Sequence, residues 1–326
     1  MPGDQRSIIL VTGGAGFIGS HVCDALLAAG HVVRCFDNLA TGKTRNIEHL
    51  EGVADFTFIQ GDICNLPALT AALESVTAVV HLAALGSVPR SIAFPLESEA
   101  ANLGGFLNLL EAARKLELKR IVYASSSSVY GDSPLLPKKE GTEGNALSPY
   151  AVTKAMDEAY AVLYGRLFGT EAIGLRFFNI FGERQDPEGA YAAAIPKFIR
   201  ALLKHEPPVV NGDGLQTRDF TYVGNAVQAV QLALDAPSEL AGEVFNIAYG
   251  DSCNLLELLG KLQERLAHID PAIAHVGVEH APPRKGDVQA SHADISKAHE
   301  QLGYIPRSSV DEGLDRAVPW YAEHWR

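Results

Sequence analysis

Residues 8–19 read IILVTGGAGFIG, and this stretch decides the fold that the rest of the chain completes. An apolar, β-branched run ends in a glycine-rich turn, and a helical pattern follows. The absence of side chains at Gly13 and Gly16 allows a tight turn and lets a pyrophosphate approach backbone N–H groups, while Gly19 lets the helix pack closely on the strand. The spacing is GxxGxxG rather than the commoner GxGxxG. The stretch predicts the first strand, turn and helix of a dinucleotide-binding fold.

Strands and helices alternate through the first half of the chain. The apolar runs are nearly continuous, which is typical of parallel strands covered on both faces. They predict strands at 8–12, 32–36, 56–60, 78–82, 120–125 and 171–177, separated by helices at 17–29, 67–74, 98–115 and 149–168. The pattern predicts an α/β fold, a Rossmann-like doubly wound parallel sheet.

The rhythm changes after about Asn179, where Gly and Pro cluster and helices are predicted near 190–204, 223–236, 254–267 and 311–324. We expect a smaller α/β substrate-binding lobe here. The predicted division assigns residues 1–180 to a dinucleotide-binding domain, with 219–249 returning to it, and residues 181–218 and 250–326 to the smaller lobe. The 326 residues suffice for both.

Composition excludes several classes of function. The net charge of −12 disfavours nucleic acid or an anionic membrane as a partner. The four cysteines form no CxxC pair and the eleven histidines show no metal-ligand spacing, so we expect reduced thiols and no metal. No secretory signal or run of about 20 apolar residues is recognisable, and a cytoplasmic location is expected.

Asp37 ends the second predicted strand, 18 residues beyond Gly19. Its carboxylate is placed to accept hydrogen bonds from the adenosine ribose and would repel a 2′-phosphate, which favours NAD over NADP. Arg34 is close in sequence but lies within the strand. Asp62, after the third strand, is placed to meet the adenine, although a solvated loop carboxylate explains it as well.

Tyr150 and Lys154 lie four residues apart at the start of a predicted helix, so they share one face. Lowering a tyrosine pKa from about 10 to near 7 requires roughly 4 kcal/mol of preferential phenolate stabilisation, which Lys154 and a nicotinamide ring can supply. YxxxK alone also occurs by chance. The serine run 125–128, at the carboxyl end of a predicted strand, adds hydroxyls that can bond a reacting oxygen, although four serines can equally form a polar loop.

Together these motifs resemble an extended short-chain dehydrogenase/reductase of the sugar-nucleotide type, over nearly the whole chain. TGGAGFIG, DNL at 37–39, GDI at 61–63, HLAA at 81–84, SSxxVYG and YxxxK follow in the family's order. Within the family the chain most resembles UDP-N-acetylglucosamine 4-epimerases of bacterial O-antigen pathways. The resemblance implies a catalytic triad of Ser126, Tyr150 and Lys154.

The resemblance also implies two sets of binding residues. The NAD-binding set comprises Gly13, Gly16, Phe17, Ile18, Gly19, Asp37, Asn38, Leu39, Thr41, Gly42, Asp62, Ile63, Leu82, Ala83, Ala84, Asn102, Ser125, Tyr150, Lys154 and Phe178, the last beside the nicotinamide. The UDP-sugar set comprises Gly86, Ser87, Ser126, Ser127, Ser128, Tyr150, Asn179, Ala193, Arg218, Arg284, Asp287 and Ser291. Arg218 and Arg284 would hold the UDP moiety, because a guanidinium binds phosphate oxygens bidentately.

Two details narrow the expected substrate and reaction. Related dehydratases and decarboxylases carry acidic residues after the catalytic Ser/Thr, whereas this chain has Ser127 and Ser128. The resemblance also implies that Ser291 falls at the position that gates the C2 side of the sugar in the family's 4-epimerases, where its small size would leave room for an N-acetyl group. We therefore expect reversible 4-epimerisation of UDP-GlcNAc to UDP-GalNAc: Tyr150 removes the 4-OH proton while hydride passes to NAD, and the keto sugar rotates before hydride returns.

Other interpretations stay open. The chain could epimerise UDP-glucose or UDP-glucuronate; a uronate needs a cation near C6, for which the sequence offers no unambiguous candidate, with Arg90 a residual one. An NAD-sensing regulatory protein without enzymatic activity has no need for Ser126, Tyr150 and Lys154 together. Helices near 98–115 and 149–168 resemble those that form a four-helix bundle in family homodimers, although their apolar stripes could pack within one subunit.

Overall fold

A parallel sheet of seven strands forms the centre of the molecule. The computed structural model describes residues 6–188, 192–283 and 288–325. Numbered in chain order, the sheet strands are β1 (Ile8–Thr12), β2 (Val32–Asp37), β3 (Phe56–Gln60), β4 (Ala78–His81), β5 (Arg120–Ser126), β6 (Glu171–Phe177) and β11 (Val244–Ile247). All six predicted strands are confirmed to within one residue at each end.

The order across the sheet is β11-β6-β5-β4-β1-β2-β3. The order reverses between β1 and β4, which are hydrogen-bonded neighbours. At such a switch point the loops leaving the two strands diverge, and a crevice opens at the carboxyl ends of the strands. The doubly wound α/β fold expected from the sequence is confirmed, and the glycine-rich turn, which follows β1, lies at this crevice.

The helices are α1 (Phe17–Ala28), α2 (Leu66–Ala72), α3 (Val88–Ala93), α4 (Pro95–Glu99), α5 (Gly105–Lys115), α6 (Pro149–Phe168), α7 (Ala194–Leu203), α8 (Val223–Leu234), α9 (Leu255–Ala267) and α10 (Val310–His324). Alternate strand residues bury themselves on opposite faces of the sheet: Ile9 and Val11 pack in one cluster with helices α1 and α8, and Leu10 in another with α2 and α5. None of the helices in the described part of the chain is long and apolar enough to cross a membrane.

The region predicted as one helix at 98–115 consists of three successive helical segments. Helix α4 begins at Pro95, a π-helical turn spans Ala100–Gly104, and α5 follows from Gly105. The π-helical turn contains the buried Asn102, whose amide bonds the backbone of Leu85. Helix α6 has the predicted bounds, and Ser148 caps it by accepting a hydrogen bond from the N–H of Ala151 at 3.1 Å.

Three small sheets complete the second half. They pair β7 (Ile180–Phe181) with β10 (Thr221–Tyr222), β8 (Val209–Asn211) with β13 (Glu279–Ala281), and β9 (Thr217–Arg218) with both β12 (Cys253–Asn254) and β14 (Ala290–Ser291). The β9–β14 pairing places Ser291 opposite Arg218. Strand β11 lies within the segment 219–249 predicted to return to the main sheet, where it pairs with β6. The wider division into two lobes stays a prediction.

Candidate active site

The glycine-rich turn leaves no room for side chains. Gly13 has φ +70°, and a Cβ there would lie 2.7 Å from the backbone nitrogen of Ala83. A Cβ on Gly19 would lie 2.1 Å from the carbonyl oxygen of Gly13, and one on Gly16 would lie 3.0 Å from the same atom. The turn is therefore a close-packed backbone cradle at the start of α1, the arrangement that a pyrophosphate needs.

Asp37 lies beside this turn and is buried. Its two carboxylate oxygens accept hydrogen bonds from the N–H of Ala15 at 3.0 Å and of Leu39 at 2.7 Å. Burial raises the pKa of Asp37, and the two N–H donors oppose that shift. A Cβ on Gly42 would lie 2.9 Å from either oxygen, so Gly42 leaves the carboxylate its space.

The arginine nearest to Asp37 in sequence is engaged elsewhere. The Arg34 guanidinium donates to the carbonyls of Ala72 at 2.9 Å and Glu74 at 2.6 Å. It is therefore committed to the end of α2 rather than to a ribose 2′-phosphate. Asn38 donates to Asp62 at 3.0 Å and joins the two acidic loops that were predicted to hold the adenosine.

A cavity of about 450 Å³, here called the cofactor cavity, runs from the turn past Asp37. Most of the predicted NAD residues line it: Gly13, Gly16, Phe17, Ile18, Gly19, Asp37, Asn38, Thr41, Asp62, Ile63, Leu82, Ala83 and Ala84. Leu39 and Gly42 do not line the cofactor cavity but contact Asp37. Asn102 is fully buried and holds the loop at Leu85, accepting from its N–H at 2.7 Å. The close-packed turn and the placement of Asp37 fit NAD.

Phe178, predicted to lie beside the nicotinamide, lines neither of the two main cavities. Its side chain is fully buried in a small core cluster with Val129, Tyr130 and Ala248. Phe177, the preceding residue, lines the adjoining cavity instead. Successive side chains at the end of a strand point to opposite faces, so a shift of one position exchanges a wall residue for a core residue.

A second cavity of about 550 Å³, here called the catalytic cavity, contains the predicted triad. Ser126, Tyr150 and Lys154 all line it, and so does Ser125. Tyr150 lies in the first turn of α6, where its N–H donates to the Ser91 hydroxyl at 3.1 Å. The catalytic and cofactor cavities share the wall residues Phe17, Ile18, Leu82, Ala84, Gly86 and Ala124.

Lys154 is almost completely buried, with 2% of its side chain exposed. Its ammonium donates to the carbonyl of Ala124 at 2.9 Å and to the Asp157 carboxylate at 3.1 Å. Burial alone would lower the pKa of Lys154, but Asp157 and Tyr150 outweigh it and raise the pKa. The ammonium therefore stays charged beside the phenol of Tyr150.

The end of β5 is held rigidly behind this cavity. The Ser126 hydroxyl accepts from the N–H of Ser128 at 3.1 Å. The Ser125 hydroxyl donates to Glu158 at 2.5 Å, and Arg176 donates to both oxygens of Glu158 at 2.8 and 2.7 Å. This buried network fixes the position of the strand that carries Ser126.

The predicted substrate residues divide into several groups. Gly86, Ser127, Ser128, Asn179, Arg218 and Ser291 line the catalytic cavity. Asn179 has φ 38° and donates to the carbonyl of Asp219 at 3.0 Å. Ser87 caps α3 and lines an adjoining 390 Å³ cavity, whereas Ala193 is exposed and lines neither of the two main cavities. Arg284 and Asp287 lie outside the described residues.

Lys138 is among the lining residues that were not predicted: it lines the catalytic cavity and is 6% exposed. Arg90, the residual candidate for a cation near C6, lines the cofactor cavity instead and lies 3.8 Å from Glu97. Among the described residues no cluster of His, Cys, Asp or Glu could hold a metal ion.

Comparison with known proteins gives matches that agree on one family. The model of the NAD dependent epimerase/dehydratase family matches residues 9–248. The chain is 35% identical over 315 residues to a UDP-glucose 4-epimerase of Mycolicibacterium smegmatis, covering 96% of this chain and 97% of that protein.

Two solved structures are similar throughout. A UDP-N-acetylglucosamine 4-epimerase from Methanobrevibacter ruminantium, in complex with UDP-N-acetylmuramic acid, is 36% identical with a TM-score of 0.91, covering 98% of this chain and 99% of that one. A UDP-glucuronic acid 4-epimerase from Bacillus cereus, in complex with UDP-glucuronic acid and NAD, is 33% identical with a TM-score of 0.88, covering 98% and 100%.

Proposed function

Because this chain belongs to the NAD-dependent epimerase/dehydratase family, we propose that it is an isomerase that interconverts UDP-GlcNAc and UDP-GalNAc at C4. NAD is its cofactor. The observation that carries the proposal is the catalytic cavity, in which Ser126, Tyr150 and Lys154 line one wall next to the cofactor cavity. A protein that only sensed NAD would have no use for a charged lysine buried beside a phenol.

In the proposed reaction, residues of this chain accept the proton of the sugar 4-OH and stabilise the group that accepts it. Tyr150, as phenolate, accepts the proton of the sugar 4-OH, and Ser126 hydrogen-bonds the same oxygen. The buried ammonium of Lys154, fixed by Ala124 and Asp157, stabilises the phenolate. NAD supplies, when bound, the acceptor for the C4 hydride and its return. Arg218 would hold the diphosphate while the oxidised sugar turns its other face to the cavity.

Two features of the cavity wall support epimerisation of an acetylated sugar. None of the described lining residues is a carboxylic acid, so no side chain there is suited to protonate a leaving hydroxyl, as a dehydratase requires. Ser291 is on β14 opposite Arg218 and presents a small side chain to the cavity. A small residue removes a clash with an N-acetyl group at C2 without excluding unacetylated sugars.

The direct experiment mixes the purified protein separately with UDP-GlcNAc, UDP-glucose and UDP-glucuronate and follows each 4-epimer by chromatography. We expect UDP-GalNAc to form from UDP-GlcNAc. Of the two substrates with an uncharged sugar, UDP-GlcNAc should have a higher kcat/KM than UDP-glucose. Formation of UDP-galactose alone would replace the proposed substrate by UDP-glucose. Absence of all three products, with NAD binding retained, would support the sensing alternative. The O-antigen pathway stays a prediction.

We also propose a homodimer through a four-helix bundle. Val152, Met156, Leu163 and Leu167 form an exposed apolar stripe along α6 at helical spacing. Ile92, Phe94 and Leu96 are exposed on the neighbouring segment of α3 and α4. Exposed apolar patches of this kind mark association surfaces. Sedimentation at micromolar concentration should give the mass of two chains; the mass of a single chain would contradict the dimer.

A further inference from the structure

Asp157 lies behind Lys154, on the buried face of α6. Its side chain is 1% exposed, and that of Lys154 is 2% exposed. The Oδ2 atom of Asp157 accepts from the Lys154 ammonium at 3.1 Å, whereas Oδ1 is buried without a hydrogen-bond partner among the described residues. Asp157 lines neither the catalytic cavity nor the cofactor cavity, so it faces no ligand in either one. In the described part of the chain, its one hydrogen-bond donor is the ammonium of Lys154.

Two other buried carboxylates have a different arrangement, one that is typical of a structural role. The fully buried Asp219 accepts hydrogen bonds from the backbone N–H groups of three residues, at 3.1–3.3 Å. Glu158 accepts from the hydroxyl of Ser125 and, with both oxygens, from Arg176. Several donors of this kind offset the cost of burying a carboxylate. Asp157 has a single donor, so its charge acts chiefly on that ammonium.

The other charged groups near Asp157 are compensated. Glu158 is the one further charged group that acts on the Asp157 carboxyl, and it is paired with Arg176 of β6 at 2.7 Å. The π-helical turn, which packs against α6, contributes the uncharged Asn102. Among the described residues, Asp157 is the only carboxylate within ion-pair distance of the Lys154 ammonium.

The strands behind this ion pair contribute titratable groups that stay neutral. Burial, with a contribution from Lys154, lowers the pKa of His81 on β4 to about 3. Burial raises the pKa of Tyr123, which is opposite His81 on β5, well above its ordinary value. The His81 Nε2 atom and the Tyr123 hydroxyl are buried and have no hydrogen-bond partner in the described part of the chain. Near neutral pH, therefore, neither group supplies a negative charge to the ammonium.

Lys154 and Asp157 depend on each other for their charges. Burial alone would lower the pKa of Lys154, and Asp157 makes the largest contribution that raises it. Burial raises the pKa of Asp157, and the ammonium opposes that shift. A buried ammonium that loses its anion releases its proton more readily, because burial disfavours the charged form. Removing the charge of Asp157 should therefore weaken proton binding by Lys154.

We infer that Asp157 is a positioning residue of the proposed reaction: it holds the Lys154 ammonium in place and keeps it charged, and so sets the alkaline limit of activity. This inference rests on the proposed function, in which a charged Lys154 stabilises the phenolate of Tyr150. Asp157 touches neither sugar nor dinucleotide and acts only through the lysine. Loss of the lysine proton removes that stabilisation, so kcat falls at high pH.

The first test uses Asp157→Asn, which removes the charge and keeps the shape of the side chain. For the NAD-loaded protein, kcat is measured at about pH 7 and about pH 9 with a saturating amount of the nucleotide sugar that is turned over fastest. The ratio of kcat at the higher pH to kcat at the lower pH should fall by about tenfold or more relative to wild type, because an opposite charge at this distance changes a protonation equilibrium by at least about that factor.

Two further variants control this test. Asp235→Asn makes the same exchange at an exposed position directly after α8 and should keep the wild-type ratio. Asp157→Glu keeps the charge and should retain most of the ratio. A kcat of Asp157→Asn that is lowered by one common factor at both pH values, or unchanged at both, would overturn the inference. Bound NAD stabilises the folded state by mass action, and thermal melting of the NAD-loaded variants checks folding.

Urea unfolding tests the ion pair without turnover. The pKa of Lys154 is 10.5 in the unfolded chain and higher in the folded wild type, so the stability from the pair is fully present below about pH 10 and lost only above it. In Asp157→Asn the folded state should bind this proton less tightly than the unfolded chain does. Its free energy of unfolding should therefore rise, relative to wild type, between about pH 8 and about pH 10.

The two measurements separate this inference from the reaction it rests on. A parallel pH dependence of unfolding in wild type and Asp157→Asn would overturn the inference, whether or not the protein epimerises a sugar. The expected rise in a protein that turns over no nucleotide sugar would support the action of Asp157 on Lys154 and reject the proposed reaction.

Discussion

The cofactor cavity and the catalytic cavity meet at one wall but are built differently. All residues that line the cofactor cavity fall between Gly13 and Ala124, within one run of strands and helices. The catalytic cavity collects residues from Phe17 to Ser291. The first contains the carboxylates of Asp37 and Asp62 together with Arg90, and the charged residues among the described lining of the second are all cations. The cofactor cavity is a backbone cradle, and the catalytic cavity is lined mainly by individual side chains.

This difference explains why membership of the family identifies the cofactor but does not identify the sugar of the substrate. The cradle depends on glycines at which an added Cβ would lie only 2.1–3.0 Å from backbone atoms, so these positions tolerate little change. The catalytic cavity is lined by single side chains such as Ser291 and Lys138, and side chains on a cavity wall can be exchanged without altering the fold. Substitutions on the two sides should therefore produce separable defects.

The largest effect is expected on the catalytic side. Tyr150→Phe removes the proton acceptor and should lower kcat by a factor on the order of 10²–10⁴, the usual contribution of general acid–base catalysis. UDP affinity, measured by calorimetry, should stay close to the wild-type value. Tyr160→Phe, on the same helix but outside the catalytic cavity, is the control. Retention of most activity in Tyr150→Phe would remove Tyr150 from the mechanism.

On the cofactor side, Gly19→Ala places a Cβ 2.1 Å from the carbonyl oxygen of Gly13. Relieving an overlap of this kind costs about 1–3 kcal/mol, so NAD affinity should fall by about 10–100-fold while UDP affinity is kept. Gly260→Ala is a matched control, because no heavy atom lies within 4 Å of its added Cβ. Wild-type NAD affinity in a folded Gly19→Ala protein would show that the turn does not hold the dinucleotide.

A third variant concerns specificity within the catalytic cavity. Ser291→Tyr adds a bulky ring to the wall at the position proposed for the C2 substituent. The kcat/KM for UDP-GlcNAc should fall by about tenfold or more relative to that for UDP-glucose, in the range that a steric change in a pocket produces. An equal fall for both sugars would mean that Ser291 does not lie beside C2.

The smallest effect concerns β4, the strand that leads into the shared wall residue Leu82. His81 is fully buried, shares a 2.8 Å hydrogen bond with Thr12, and ends the strand that leads into Leu82. Burial, with a contribution from Lys154, lowers the pKa of His81 to about 3. The unfolded chain binds this proton below pH about 6.5 and the folded chain does not, so stability falls as pH falls from about 6.5 towards 3.

This histidine alone contributes at most about 1.4 kcal/mol per pH unit to that slope. His81→Gln cannot take up the proton, so its free energy of unfolding should depend less steeply on pH between 6 and 4 in urea titrations. His299→Gln, at an exposed position, is the control. Equal slopes for wild type and His81→Gln would show that His81 is not kept neutral by the fold.

The sequence predicted the cofactor side more completely than the catalytic side, for a physical reason. The bounds of the strands and the glycine turn can be predicted from local patterns, since a continuous apolar run or a group of turn glycines is recognisable within a few residues. Lys138 and Lys139 are adjacent and identical in type, and only the backbone bonds of Lys138 to His292 and Asp294 distinguish them. Phe177 and Phe178 are likewise adjacent and identical in type. Which of the two side chains lines the cavity depends on where β6 ends. The π-helical turn at Ala100–Gly104 likewise had no local signal.

The six apolar and small residues shared by the two cavities have a thermodynamic consequence. Two ligands that rest on one common surface are coupled, and the factor by which either changes the affinity of the other is the same in both directions. Saturation with the nucleotide sugar should therefore change the affinity for the dinucleotide by the same factor by which saturation with the dinucleotide changes the affinity for the nucleotide sugar.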